Sequence, residues 1–145
     1  MRYRKLGNTG LIVNSVALGT MQFGGKMNMG NLGQDDTTRV VKLALERGIN
    51  FIDTADVYSL GESETLVGNA LKGVRDEIVL ATKVRLPMSE NFNRSGATRV
   101  NIMREVECAV VEVLPTIRPG LELHASTSLC QGGGFEPDLP TVVRS

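Results

Sequence analysis

Residues 50–83 read NFIDTADVYSLGESETLVGNALKGVRDEIVLATK and contain two short apolar runs separated by a longer, mixed segment. The first run, 50–52, predicts a buried strand that is closed by Asp53. The second, from Ile78 to Ala81, predicts another strand, which leads to Lys83. The segment between them is long enough for a helical crossover, so the two strands are predicted to run parallel.

The segment between these strands carries the apolar spacing of a helix. Its apolar face is formed by Leu66, Val67, Ala70 and Leu71. Ser63 is the predicted cap of this helix, and Gly73 is the predicted end. A second helix of the same kind stands upstream, with Val40, Val41, Ala44 and Leu45 on its apolar face. There the predicted cap is Asp35 or Asp36, and Gly48 ends the helix.

The first part of the chain adds a hairpin and a third strand. Two short runs around the turn-forming Asn8-Thr9-Gly10 predict a β-hairpin over Arg2 to Asn14. The apolar run from Ser15 to Gly19 predicts a buried strand, and a loop rich in glycine and methionine follows it to Gly33. Three such strands, with a helix after each of the first two, indicate an α/β fold with a parallel sheet.

Two parallel architectures fit this order of elements. A third helical stretch near Arg99 to Ala109 continues the alternation. The first strand is not followed by the Gly-x-Gly-x-x-Gly pattern of dinucleotide-binding open sheets, which favours a closed barrel. After Ala109 the chain holds four of its five prolines and the run Gly132 to Gly134. We therefore expect 110–145 to be an irregular tail, distinct from 1–109.

Composition narrows the class of partner. The 145 residues are 41% apolar and 22% charged, with sixteen basic residues against sixteen acidic ones. This balance gives no argument for nucleic acid or an anionic membrane, so a small molecule is the expected partner. No apolar run approaches the ~20 residues of a membrane span, and a cytoplasmic location is expected. Two cysteines and one histidine support neither a disulfide framework nor a metal site.

The strand ends provide candidate site residues. In a parallel barrel the carboxyl ends of the strands form the functional rim, so Asp53 and Lys83 are predicted to meet there. Tyr58 follows closely enough after Asp53 to fold over the same rim. Carboxylate, ammonium and phenol together suit the protonation of a carbonyl oxygen as hydride reaches its carbon, since an ammonium favours the phenolate. The same residues also suit a helix cap, a solvated charge and an amphipathic rim residue.

Several linked motifs resemble the aldo-keto reductase family. These are FIDTADVY at 51–58, GESE at 61–64, LGTM at 18–21 and ATK at 81–83, together with the opening YRKLGNTGL at 3–11. The resemblance is collinear and covers roughly residues 1 to 109. It implies a (β/α)8 barrel, of which this chain holds the N-terminal strands and helices, and NADP(H)-dependent reduction of aldehydes and ketones to alcohols.

The resemblance also implies roles for individual residues. Tyr58 would be the general acid, Lys83 would favour its phenolate, and Asp53 would hold Lys83. Gly19, Thr20 and Met21 would lie near the nicotinamide ribose, with Asp53 beside the cofactor as well. The family's fourth catalytic residue is a histidine in an Asp-Leu-x-x-x-His context. His124 is the only candidate, but Leu121-Glu122-Leu123-His124 does not resemble that motif, and a solvated side chain is the expected reading.

Three expectations remain open on the sequence. Because family members are longer, we expect a truncated or frame-altered chain that is inactive and poorly stable alone. A non-catalytic protein that binds a nucleotide or a partner on the same scaffold, like the channel β subunits of the family, is the alternative function. A partial barrel would also leave apolar sheet edges exposed, which favours self-association through the sheet.

Overall fold

The structure is a computed structural model in which residues 1–109 are described. The predicted irregular tail 110–145 lies outside the described residues, and so does His124. Among the described residues no helix is long and apolar enough to cross a membrane.

The chain begins with the predicted hairpin. Strands β1, Tyr3–Lys5, and β2, Ile12–Asn14, pair antiparallel, with Tyr3 opposite Asn14. Asn14 is 3% exposed, and its side-chain amide donates to the carbonyl of Gly48 at 2.9 Å. Gly48 ends the first long helix with a φ of +75°, a conformation that glycine adopts without a steric penalty. The hairpin is thereby attached to the end of that helix.

Three parallel strands form the central sheet. They are β3, Leu18–Gly19, β4, Phe51–Asp53, and β5, Val79–Ala81, and they lie side by side in chain order. This confirms the predicted parallel sheet. The prediction of a strand from Ser15 was wrong, because the amides of Ser15 and Val16 donate to Arg2 and Asn14 of the hairpin instead.

Helix α1, Gln34–Glu46, follows β3, as the apolar spacing predicts. The predicted aspartate cap was wrong: Gly33 precedes the helix, and it makes no side-chain capping bond. Asp35 and Asp36 lie within the first turn, where carboxylates still interact favourably with the positive end of the helix dipole.

Helix α2, Glu62–Ala70, follows β4, and helix α3, Arg99–Glu107, follows β5. The predicted Ser63 cap of α2 was also wrong, because Gly61 precedes this helix and Ser63 lies inside its first turn. Helix α3 has a side-chain cap, since the hydroxyl of Thr98 accepts from the amide of Asn101 at 3.2 Å.

The core lies between the sheet and helices α1 and α2. Its buried apolar side chains are Phe23, Val41, Ile52, Val67, Leu71 and Ile78. Ile52 stands at the centre of the middle strand and is fully buried. Helices α1 and α2 therefore pack against the face of β4 that carries Ile52.

Candidate active site

The carboxyl ends of the three parallel strands place the predicted residues on one rim. Asp53 is the last residue of β4 and pairs with Gly19 of β3 and Ala81 of β5. The pairing continues past the strands, because the amide of Asp56 donates to the carbonyl of Lys83 at 3.2 Å. Lys83 therefore runs alongside the segment that follows Asp53, although it lies two residues beyond β5.

The ammonium of Lys83 is the centre of the site. Its Nζ atom lies 2.6 Å from Oδ2 of Asp53, 2.9 Å from the carbonyl of Thr54 and 3.4 Å from the hydroxyl of Tyr58. An ammonium has three donor hydrogens, so these contacts account for all of them. The side chains of Lys83 and Asp53 are 41% and 37% exposed, so the pair remains open to solutes.

Tyr58 lies at the start of a turn, Tyr58–Gly61, that leads into α2. The centroid of its ring is 5.1 Å from the Lys83 ammonium. Since the ammonium can only donate, the phenol oxygen accepts from Lys83, and the proton of the hydroxyl is left for another acceptor. The geometry therefore presents a partly buried proton donor beside a fixed cation.

The turn itself is held by the loop after β3. Ser59 is fully buried, and its hydroxyl lies 3.1 Å from the carbonyl of Phe23 and 3.3 Å from that of Lys26. Gly24 leaves the space for this packing, because a Cβ there would lie 2.8 Å from the Cβ of Ser59. The loop thus determines where the Tyr58 turn sits relative to the strand ends.

The residues expected near a cofactor fall into two groups. Gly19 and Met21 are exposed, and a Cβ added at Gly19 would meet nothing within 4 Å. Thr20 is fully buried, and both its amide and its hydroxyl donate to the carbonyl of Asp53 at 3.0 and 3.2 Å. A side-chain contact from Thr20 to a cofactor does not fit this arrangement, whereas Gly19 and Met21 border open space.

Buried acids beside the rim were not anticipated from the sequence. Asp56 and Glu64 are 6% and 4% exposed. Burial raises the pKa of Asp56 to about 6, with a further rise from nearby Glu105, and the amide of Val57 opposes it. Burial likewise raises the pKa of Glu64 to about 7, despite a hydrogen bond from the hydroxyl of Thr82.

The third acid of this group, Glu105 on α3, is also buried and lies 3.5 Å from the guanidinium of Arg94. The sequence carries one signal that Glu64 is buried. It precedes Val67 and Leu71 by three and seven residues, which places it on the buried face of α2. Asp56 and Glu105 carry no such signal. No group of three or more acidic, histidine or cysteine side chains in residues 1–109 has the geometry to hold a metal ion.

The described residues form a parallel β/α fold in which an aspartate, a lysine and a tyrosine meet beyond the carboxyl ends of the strands. The model of the aldo/keto reductase family matches residues 15–112, and the chain belongs to this family. The match begins before β3 and extends just past the described residues.

Known relatives agree with this assignment. Aldo-keto reductase YhdN of Bacillus subtilis is 38% identical over 109 residues, covering 74% of this chain and 33% of YhdN. The solved holo form of aldo-keto reductase AKR11C1 from Bacillus halodurans aligns with a TM-score of 0.66 at 34% identity, over 80% of this chain and 37% of that one. A Schizosaccharomyces pombe relative, provisionally named a voltage-gated potassium channel subunit beta, is 35% identical over 90% of this chain and 42% of its own length.

These alignments also bear on length. The aligned part of the chain spans between 33% and 42% of the length of these three relatives. The alignment with the Schizosaccharomyces pombe relative covers 90% of the chain, so it runs past residue 109. The family motifs recognised in the sequence cover only about residues 1 to 109.

Proposed function

We propose that Asp53, Tyr58 and Lys83 are the catalytic groups of an NADP(H)-dependent reductase of aldehydes and ketones. The observation that carries the proposal is the contact set of Lys83. Its three ammonium hydrogens are directed at Asp53, Thr54 and Tyr58. The phenol proton of Tyr58 is then available to the oxygen of a bound carbonyl.

The proposed reaction needs two transfers to the carbonyl group. When bound, NADPH supplies a hydride to the carbonyl carbon. Tyr58 donates its hydroxyl proton to the carbonyl oxygen, so the product is an alcohol and the tyrosine becomes a phenolate. The ammonium of Lys83 stabilises that phenolate, and the carboxylate of Asp53 keeps the ammonium in place. Solvent can return the proton to Tyr58 because the side chains of Lys83 and Asp53 beside it are 41% and 37% exposed.

The cofactor is expected beside β3. Gly19 pairs with Asp53, and the absence of a side chain there leaves open space next to the Asp53 and Lys83 pair. Met21 is half exposed at the start of the following loop, where it can cover a planar ring. The proposal includes NADP(H) as the cofactor and a small carbonyl compound as the substrate. It includes no nucleic-acid or membrane partner.

The test replaces each of the two tyrosines by phenylalanine. We expect Tyr58→Phe to lower the rate of NADPH oxidation with an aromatic aldehyde by about 10²–10⁴, the usual contribution of a general acid. Tyr3→Phe removes an exposed hydroxyl of the hairpin that donates to the carbonyl of Gly48 after helix α1, and it should leave the rate unchanged. A Tyr58→Phe protein with the parent rate would contradict the proposal.

The assay is run on two proteins, because the chain spans a third of YhdN. One is the 145-residue chain, which we expect to be inactive alone. The other joins residues 1–109 of this chain to the remaining part of YhdN. Activity of the second protein that depends on Tyr58 would assign the chemistry to the described residues.

A second candidate function is binding without turnover. The Schizosaccharomyces pombe relative, whose name assigns it to a channel assembly, favours this alternative. Such a protein would bind NADPH with similar affinity in the parent and in Tyr58→Phe, and neither would oxidise it. Fluorescence titration with NADPH, measured beside the rate assay, separates the two functions.

A further inference from the structure

Three buried hydroxyl side chains lie next to the rim that carries Asp53 and Lys83. Thr20 follows β3, Thr54 follows β4, and Ser63 lies in the first turn of α2. Their exposed fractions are 0%, 1% and 0%. Since water does not reach them, each hydroxyl proton must have an acceptor within the protein.

The proton of each hydroxyl can be assigned from the acceptors. Thr20 Oγ1 lies 3.2 Å from the carbonyl of Asp53, and Ser63 Oγ lies 2.9 Å from the carbonyl of Thr20. A carbonyl only accepts, so both hydroxyls donate. The 3.4 Å contact between Thr54 Oγ1 and Ser63 Oγ then requires Thr54 to donate. The hydroxyls form one directed chain from Thr54 through Ser63 to Thr20 and the Asp53 carbonyl.

Both ends of this hydroxyl chain touch the backbone of the site. At one end, Thr20 holds the carbonyl of Asp53 with its amide as well as its hydroxyl. At the other end, the carbonyl of Thr54 accepts from the ammonium of Lys83 at 2.9 Å. Ser63 connects the two ends, and its side-chain hydrogen bonds within the described residues go to Thr20 and Thr54.

We propose that Ser63 is a positioning residue for the Asp53 and Lys83 ion pair. It acts through the backbone carbonyls of residues 53 and 54, without touching the reacting groups. Its catalytic consequence rests on the proposed function, but its effect on the geometry of Lys83 does not. Ser63→Ala leaves the volume of the side chain nearly unchanged while Thr54 loses its acceptor and Thr20 loses a donor. The Thr54 carbonyl is then less fixed, and the Lys83 ammonium spends less time on its acceptors.

The experiment measures the reactivity of Lys83 in the full 145-residue chain. Lysines are acetylated with limiting acetic anhydride, and the rate at Lys83 is divided by the rate at exposed Lys72 after digestion and mass spectrometry. We expect Ser63→Ala to raise this ratio by about fivefold, the factor that the loss of one hydrogen bond produces. An unchanged ratio in a folded Ser63→Ala protein would overturn the proposal.

Two further variants separate positioning from general loosening. Thr65→Ala removes an exposed hydroxyl of the same helix, which donates to the Gly61 carbonyl, and should leave the ratio unchanged. Should Ser63→Ala raise the labelling of Lys72 as well, Thr54→Val breaks the same hydroxyl chain at its other end with little change of shape. A Thr54→Val protein in which Lys83 reacts as in the parent would also overturn the proposal.

The labelling experiment requires no turnover, so its outcome is independent of the proposed function. In the form that joins residues 1–109 to YhdN, Ser63→Ala should shift the pH profile of kcat while the Kd for NADPH stays within about twofold of the parent. A change in labelling without any turnover would leave the positioning role intact and refute the reductase. Turnover with unchanged labelling would support the reductase and refute the positioning role.

Discussion

Glu64 makes a pH-dependent contribution to stability that a single substitution isolates. The side chain is 4% exposed on the buried face of α2, and burial raises its pKa from 4.5 to about 7. An acid with a raised pKa in the folded state keeps its proton where the unfolded chain has already lost it. The free energy of unfolding therefore falls as the pH rises from 4.5 to about 7, and the loss is complete above that range.

The rise in pKa gives the magnitude of the effect. A pKa that moves from 4.5 to about 7 corresponds to about 3 kcal/mol at neutral to basic pH. Glu64→Gln keeps an oxygen that accepts the Thr82 hydroxyl, but the amide does not ionise. Asp56 and Glu105 are present in both proteins, so their own titration largely cancels. The variant should therefore gain about 3 kcal/mol relative to the parent between pH 4 and pH 8.

Urea unfolding followed by circular dichroism at pH 4, 6 and 8 measures this difference. Glu77→Gln is the matched control, because Glu77 is exposed and surface substitutions usually change stability by less than about 0.5 kcal/mol. A stability difference between Glu64→Gln and the parent that stays constant from pH 4 to pH 8 would refute the reasoning. It would mean that Glu64 is ionised in the folded protein at neutral pH without a penalty.

Two further substitutions test the packing that places the site. Ile52→Ala, at a fully buried position of β4, should lower the free energy of unfolding by about 2–5 kcal/mol in urea titration, whereas Leu43→Ala at an exposed position should change it by less than about 0.5 kcal/mol. Gly24→Ala should destabilise more than Gly7→Ala in thermal melts, by about 1 kcal/mol or more. Both glycines have positive φ, but only at Gly24 does an added Cβ approach Ser59, at 2.8 Å. Equal effects at the two glycines would rule out that contact as the cause.

Local patterns in the sequence were sufficient to predict the order and the kind of the main helices and strands. The alternation of apolar runs and helical spacing identified the hairpin, the three parallel strands and the helices between them. The predictions that failed concerned boundaries and caps. Neither the start of β3 after Ser15 nor the place of Ser63 inside α2 can be read locally, because each depends on a partner elsewhere in the chain. Hydrogen bonds of that kind have no period in the sequence.

Part of the candidate site could likewise be predicted from the sequence, and part of it could not. Asp53 and Lys83 could be named from the sequence because charged residues at the ends of apolar runs are local features. Tyr58 could be named because it follows closely after Asp53, and the family resemblance supported all three. The structure brings Asp53 and Tyr58 within hydrogen-bond reach of the Lys83 ammonium. The sequence did not reveal the Thr54 carbonyl as the third acceptor of that ammonium, because a backbone oxygen has no signature in the sequence.

The sequence by itself determined the β/α order of the chain, the strand ends that carry the candidate groups and the family to which it belongs. The tertiary structure alone decided that Thr20 faces the interior, that Ser63 connects Thr20 with Thr54, and that Asp56 and Glu105 are buried near Glu64. The physical reason is that periodicity reports which face of an element is apolar. The burial of a polar group depends on whether residues distant in the chain supply its hydrogen bonds, and only the folded arrangement specifies them.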